Sequence, residues 1–406
     1  MTQPMPTNFN WHRRAQECIA QGYLTNSKRP EALVKGVYPT HVSKGQGCYL
    51  WDMAGKRYVD FICGLGTNLL GYGNESINSV ISSCLRDGYT HSLATHNEVI
   101  AAERIKTCIP FIDAVKFFKA GTAACSAAVK IARAYTGRNL VLSEGYHGHD
   151  DQFVSLSQPA LGCIPQDSMR LLAEVSIDET VAAVIVEPII TDWSDSRIEW
   201  LKDLREKCTK NGVMLIFDEV ITSFRWPKFS FSTWSGVTPD LIVMGKALAN
   251  GMPLAAVGGK YHVMNCGEYF ISTSYAGEAL SLVACIRSID LMQTKSDYNL
   301  ETLWKRGEHF ISEFNKACAG VVQIEGYHTR GVLKGEPLPK ALFMQEACKA
   351  GMLFGPSWFF NFPLSEIYKD LLTLIRAIAS RIRLGEIKLE GELPSSPFAQ
   401  KMREKA

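Results

Sequence analysis

Residues 213–225 read VMLIFDEVITSFR, an apolar run that ends in two adjacent carboxylates, Asp218 and Glu219. The run has the composition of a buried strand, and a carboxylate left without a partner at its end would be costly. A cation is therefore expected nearby. Further along, DLIVMGKALANGMP carries a second apolar strand into Gly245 and Lys246. A lysine there can run its stem outward and put its head in water. Beside an acid in the same sheet, its amine can instead attack a carbonyl and carry protons. A third feature is the turn Ala120-Gly121-Thr122-Ala123, which opens an alanine-rich helix. Glycine lets the backbone come close to an anion, and the first-turn amides and helix dipole favour a phosphate. Many such turns only begin a helix; here it accompanies a strand-end acid and a strand-end lysine.

An amine, an acid and a phosphate cup are three of the parts a pyridoxal phosphate site requires, the fourth being an apolar or aromatic plate against the ring. Lys246 would form the Schiff base and shuttle protons. Asp218 would pair with the pyridinium N–H, which is then the expected cation, and Gly121 and Thr122 would hold the phosphate. Tyr146, in SEGYHGHDD, supplies one plate and Val220 the other, although Val220 suits a core position equally well. The same segment offers His147, His149, Asp150 and Asp151 as metal ligands. No further ligand cluster accompanies them, and a glycine-flanked HGHDD also makes a polar loop, so no metal is assigned.

The elements that must position these residues follow from the pattern. From 139 to 260, short apolar runs (NLVLSEG, VAAVIVEP, VMLIFDEV, DLIVMGK, AAVGG) alternate with helical stretches such as SRIEWLKDLREKCTKNG. This implies an α/β fold with a large, mostly parallel sheet covered by helices. Ligands bind such sheets at the strand carboxyl ends, where Glu187, Asp218 and Lys246 fall. GQGCYLWDMAGKRYVDFICG (45–64) alternates around the turn signal DMAG as a β-hairpin does. Past about 295, helices flank a strand-and-turn stretch. The expected division is an N-terminal segment 1–60 contributing to a smaller α+β domain, a large domain 61–295, and a C-terminal small domain 296–406. The tail GELPSSPFAQKMREKA reads as loosely ordered.

Composition narrows the function classes. With 406 residues a large domain and a smaller companion fit. The net charge of +2, from 43 basic and 41 acidic residues, gives no basic excess to draw the chain to nucleic acid or to an anionic membrane. No apolar run approaches the roughly 20 residues that span a bilayer. Twelve scattered cysteines behind an N-terminus without an apolar signal core read as reduced thiols of a cytoplasmic protein.

Carried by these residues, the chain resembles the class III, fold-type I aminotransferases that depend on pyridoxal phosphate, and within them the branch containing glutamate-1-semialdehyde 2,1-aminomutase. The similarity runs from about 33 to 385 through AGTAACSAAVKIARAYTGR, EGYHGHDD, VIVEP, LIFDEVITSFR, PDLIVMGKALANGMPLAAVGG and STSYAGEALSLVA. The resemblance implies transfer of an amino group between a small amino donor and a carbonyl acceptor, or its intramolecular counterpart. It implies Lys246 as Schiff-base lysine, Asp218 as pyridinium partner, Val220 and Tyr146 around the ring, and Gly121 and Thr122 on the phosphate. Ser274 matches a family threonine that reaches the phosphate from the neighbouring subunit, so a homodimer with shared sites is implied. Glu187 falls on an active-site acid, with backbone binding at a strand end as its other role. Arg29, one position off the aminomutase arginine, and Arg225 are the candidates for a substrate carboxylate. The chain departs from the aminomutase in reading Ala120-Gly121-Thr122-Ala123-Ala124 for S-G-T-E-A and Gly277-Glu278-Ala279-Leu280 for G-N-P-L. Its ALGCIPQDS (160–168) only loosely matches the gating loop.

Overall fold

The computed structural model describes residues 8–157, 163–164, 167–267 and 269–395; residues 160–162 and 165–166 of ALGCIPQDS and 396–406 of the tail lie outside them. The chain divides into two compact units, Met1–Asn74 with Leu303–Ala406, and Glu75–Thr302.

The Glu75–Thr302 unit is built on a seven-stranded sheet, counted among the described residues. Its strands are β1 (Ala114–Phe118), β2 (Leu140–Glu144), β3 (Met169–Leu171), β4 (Val181–Val186), β5 (Met214–Glu219), β6 (Leu241–Met244) and β7 (Ala255–Gly259). Their spatial order is β1-β7-β6-β5-β4-β2-β3. Neighbours from β6 through β3 are parallel, whereas β7 runs antiparallel to both β6 and β1. The segment between β6 and β7 is too short for the crossover of a dozen or more residues that a parallel pair needs. Because β7 reverses once on each side, β1 points the same way as β6. The carboxyl ends of β1, β2, β4, β5 and β6 therefore share one edge.

Every residue of β4, β5, β6 and β7 is buried, which is why these strands read as continuous apolar runs rather than alternating ones. Helix α1 (Gly121–Thr136) covers one face. Its Ala124, Ala127, Ala128 and Ala132 pack in one core with Ala183, Ile185, Ile216 and Val243, the alternate positions of three central strands. Alanine on the helix stripe lets it lie close to the sheet. Helix α2 (Asp195–Lys210) starts at Ser194, whose side chain accepts from Arg197 N, and ends with Lys207 and Lys210 in its last turn. Helix α3 (Ala279–Thr294) is capped by the Glu278 carboxylate, which accepts from the amides of Leu280 and Ser281.

In the other unit, the strands Val42–Gln46, Tyr49–Asp52, Arg57–Asp60 and Met352–Leu353 form one sheet. Its last pair is parallel and joins the two ends of the chain in a single element. The DMAG turn forms the expected hairpin: Asp52 Oδ1 accepts from the amides of Ala54 and Lys56, each at 2.9 Å. A three-stranded antiparallel sheet and an aromatic core, with Phe61 stacked on Phe354 at 4.1 Å, complete this unit. No helix among the described residues is long and apolar enough to cross a membrane.

Candidate active site

Strands β2, β4, β5 and β6 lie side by side and stop nearly level. Glu144 is paired with Val186, Val186 with Phe217, and Asp218 with Val243. Tyr146, Glu187, Asp218 and Lys246 therefore emerge in a row along one sheet edge, on strands about 4.8 Å apart. The chain turns sharply at Lys246: this half-buried residue has φ +43°, a left-handed conformation that costs a non-glycine residue roughly 1–2 kcal/mol. Strain of this kind concentrates at functional sites.

Val220, just past the end of β5, ties three of these features together. A Cβ built on Gly121 would lie 3.1 Å from both Val220 methyls, and one on Gly245 would lie 3.3 Å from Cγ1. The two glycines thus let the first turn of α1 and the Lys246 turn close onto the same side chain. The N-cap of α1 is Ala120, which has no side-chain acceptor to offer the first-turn amides. In that turn the Thr122 hydroxyl is buried and makes no hydrogen bond to any of the described residues. An uncapped helix start with a buried, unsatisfied hydroxyl fits an anion such as a phosphate group.

Asp218 is 6% exposed. Its Oδ2 accepts from His147 Nδ1 at 2.8 Å and from Cys125 Sγ at 3.4 Å, while Oδ1 accepts from Val220 N at 3.1 Å. Burial, and then the adjacent Asp218 charge, push the Cys125 thiol well above its ordinary range, so it is a protonated donor. Of the pair for which a cation was expected, Glu219 is met by neutral donors instead. It is fully buried and accepts four hydrogen bonds from neutral donors: Thr222 Oγ1, Phe231 N, Ser232 N and Ser232 Oγ, at 2.6–2.9 Å. Burial raises its pKa, and these donors work against that rise.

The EGYHGHDD loop is pinned residue by residue. Tyr146 N donates to Glu187 Oε1 at 2.8 Å, so Glu187 holds the backbone of the Tyr146 segment, and the Tyr146 side chain stays half exposed. His147 reaches Asp218. At Gly148, φ is +113° and a Cβ would sit 2.2 Å from Thr122 Cβ, so only glycine lets the loop rest on the α1 turn. Asp150 accepts from Ser126 Oγ on α1, Asp151 from Ile164 N, and His149 is exposed. The four ligand-type side chains of HGHDD therefore diverge. The group of three that lies within 4.8 Å among the described residues is Cys125, His147 and Asp218, where both partners are already bonded to the carboxylate.

Arg225 is fully buried in the turn after β5, where its amide donates to Thr222 O. Ser274 is exposed on the segment that leads into α3. Arg29 belongs to the other unit, where its Nη2 donates to Ser395 Oγ at 3.2 Å. Sequence reasoning overlooked Cys125 and weighed His147 only as a metal ligand. The available signal was spacing: Cys125 lies four residues after Gly121, on the same helix face.

The aminotransferase class-III family model matches residues 34–351. A glutamate-1-semialdehyde 2,1-aminomutase of Syntrophobacter fumaroxidans is 29% identical over 402 residues, covering 87% of this chain and 92% of that protein. One from Neisseria meningitidis serogroup C is 29% identical over 331 residues, or 74% and 77%. Among solved structures, the FumI protein of Sphingopyxis sp. MTA144, in its PLP internal aldimine form, has a TM-score of 0.85 at 22% identity, covering 95% of this chain and 98% of that one. A glutamate-1-semialdehyde aminomutase from Pseudomonas aeruginosa PAO1 has a TM-score of 0.79 at 18% identity, covering 92% and 94%. These likenesses make the fold that of the fold-type I transferases. With the family model spanning most of its length, the chain belongs to the class-III aminotransferases, a family of pyridoxal-phosphate enzymes.

Proposed function

We propose that this enzyme moves an amino group between a small amino donor and a carbonyl acceptor. Lys246 would hold the cofactor through its ε-amine, and Asp218 would receive the pyridinium N–H. Gly121, Thr122 and the α1 amides would take the phosphate, with Val220 and Tyr146 on either side of the ring. One observation carries this reading: Asp218 and Lys246 close adjacent strands, and Val220 between them packs against both Gly121 and Gly245.

Bound there, the cofactor supplies an electron sink that acidifies the α-carbon of an amino compound. Lys246 Nζ, free once the donor amine has replaced it, would accept that proton and pass it on. Asp218, steadied by His147 and Cys125, would keep its carboxylate toward the ring nitrogen. Glu187 fixes the loop that carries Tyr146, so the plate stays in register. Arg225 is the candidate that this unit supplies for a substrate carboxylate.

Ser274 would complete the phosphate site of a second copy in a homodimer. Leu93 and Phe270 are each 84% exposed and Tyr275 63%, and the segment that carries Ser274 lines a cleft of about 660 Å³. Exposed apolar side chains such as Phe270 and Tyr275, on the segment that carries Ser274, suit a subunit interface. All twelve cysteines are unpaired, in keeping with a cytoplasmic setting.

The test is a screen of amino compounds against the pyridoxal-phosphate-loaded protein, following carbonyl product with and without an added keto acid. Transfer to the keto acid is the expected result. Isomerisation of a single substrate with no keto acid added would establish the aminomutase reading instead, which the names of the 29%-identical relatives favour. Neither outcome from fully loaded protein would overturn both.

A further inference from the structure

Two donors from different elements converge on one oxygen of Asp218. His147 Nδ1, from the loop after β2, and Cys125 Sγ, from the second turn of α1, both reach Oδ2. The other oxygen, Oδ1, accepts only from Val220 N among the described residues. A carboxylate oxygen has two in-plane acceptor positions. Oδ2 is thus filled, and Oδ1 keeps one position open. Cys125 is 1% exposed and His147 2%, so water does not compete for either bond.

We propose that Cys125 is a positioning residue. With His147 it fixes the rotamer of Asp218 so that Oδ1 is the oxygen presented to the pyridine nitrogen, and its S–H sets how strongly the carboxylate draws the ring proton. This rests on the reading of Asp218 as the ring partner and extends it to a residue that does not touch the ring. A neutral donor on Oδ2 withdraws charge from the carboxylate without adding a cation beside it. When that donor is removed, Asp218 becomes the stronger base and the shared proton moves from the ring nitrogen toward Oδ1. The thiol's high pKa keeps the donor in place across ordinary pH. Its place on the apolar stripe of α1, four residues past Gly121, couples the phosphate turn to the acid through a single helical turn.

The experiment loads the enzyme with pyridoxal phosphate labelled with ¹⁵N in the ring and records the ring-nitrogen resonance. The proteins compared are wild type, Cys125→Ser, Cys125→Ala, Cys125→Val and Asp218→Asn. Cys125→Ala and Cys125→Val are expected to move the resonance toward the neutral-pyridine position and to release cofactor several-fold faster. Cys125→Ser, which keeps a donor, is expected to stay close to wild type. A second readout needs no cofactor: the infrared S–H stretch lost in Cys125→Ala should lie at the low frequency of a donor to a carboxylate and rise in Asp218→Asn. If Asp218→Asn moves the ring resonance and none of the Cys125 variants does, the role of Cys125 is overturned and the ring-partner reading stands. If Asp218→Asn leaves the resonance unchanged, the ring-partner reading itself falls.

Discussion

Thr122, whose hydroxyl is buried, and Glu219, which is buried outright, make opposite predictions. The Thr122 hydroxyl is buried without a partner among the described residues, so it would contribute to stability only with an anion bound. Thr122→Val keeps the shape and removes the hydroxyl. Unfolding of the cofactor-free protein should be unchanged, or shifted up by about 1 kcal/mol, while pyridoxal phosphate binding by equilibrium dialysis weakens about tenfold. Lowered cofactor-free stability with unchanged binding would make Thr122 a structural residue only. Glu219 is the reverse, since its carboxylate satisfies four donors around the turn that follows β5. Glu219→Gln replaces one acceptor oxygen by a donor that faces donors. It should lower stability by about 2–4 kcal/mol in a urea titration. From the sequence the adjacent carboxylates looked alike, because nothing local distinguishes a ligand-facing acid from one that nails down the next turn. The difference is made by Phe231 and Ser232, more than ten positions away.

At the scale of elements, the sheet was legible because its strands are buried on both faces and therefore spell unbroken apolar words. The antiparallel course of β7 was less so, since AAVGG reads the same in either direction and only the shortness of the link from β6 decides it. The loop over α1 was half legible: its glycines announced a turn, but that Gly148 must lie on Thr122 is a tertiary fact. Glu278 shows how a departure from the family pattern can be compensated. It caps α3 and pairs with Lys119 at 2.8 Å, and Lys119 immediately precedes the Ala120-Gly121-Thr122-Ala123 turn. Burial works to raise the Glu278 pKa, but Lys119, Ser281 and the Leu280 amide outweigh it and hold it below the ordinary glutamate value. Because the folded pKa is depressed, the stabilisation is full above the unfolded value and is lost as pH falls through the folded one. Glu278→Gln should therefore cost about 1–2 kcal/mol near neutral pH and flatten the acid limb of the stability curve. An acid limb identical to that of wild type would remove the cap and ion pair from the account.

At the scale of the whole molecule, the subunit interface proposed over the exposed Leu93, Phe270 and Tyr275 would leave no periodic signature in one chain, so a second copy was legible only through the family resemblance. If Ser274 completes the phosphate site of the partner, sites are shared and can be complemented. Mixed dimers of Lys246→Ala with Ser274→Ala should contain one site with both native residues, so activity reappears when two impaired proteins are unfolded and refolded together. No recovery in mixtures shown by mass to contain hybrid dimers would put Ser274 to work within its own subunit, or nowhere. Cofactor binding should also raise overall stability by mass action, by about 2.7 kcal/mol at a hundredfold excess over Kd.

The most direct measurement is borohydride reduction of the protein with pyridoxal phosphate, followed by peptide mass mapping. One reduced pyridoxyl group per chain is expected, on the peptide containing Lys246, and none there or elsewhere in Lys246→Ala. A label on another lysine, or an undiminished label in Lys246→Ala, would contradict it.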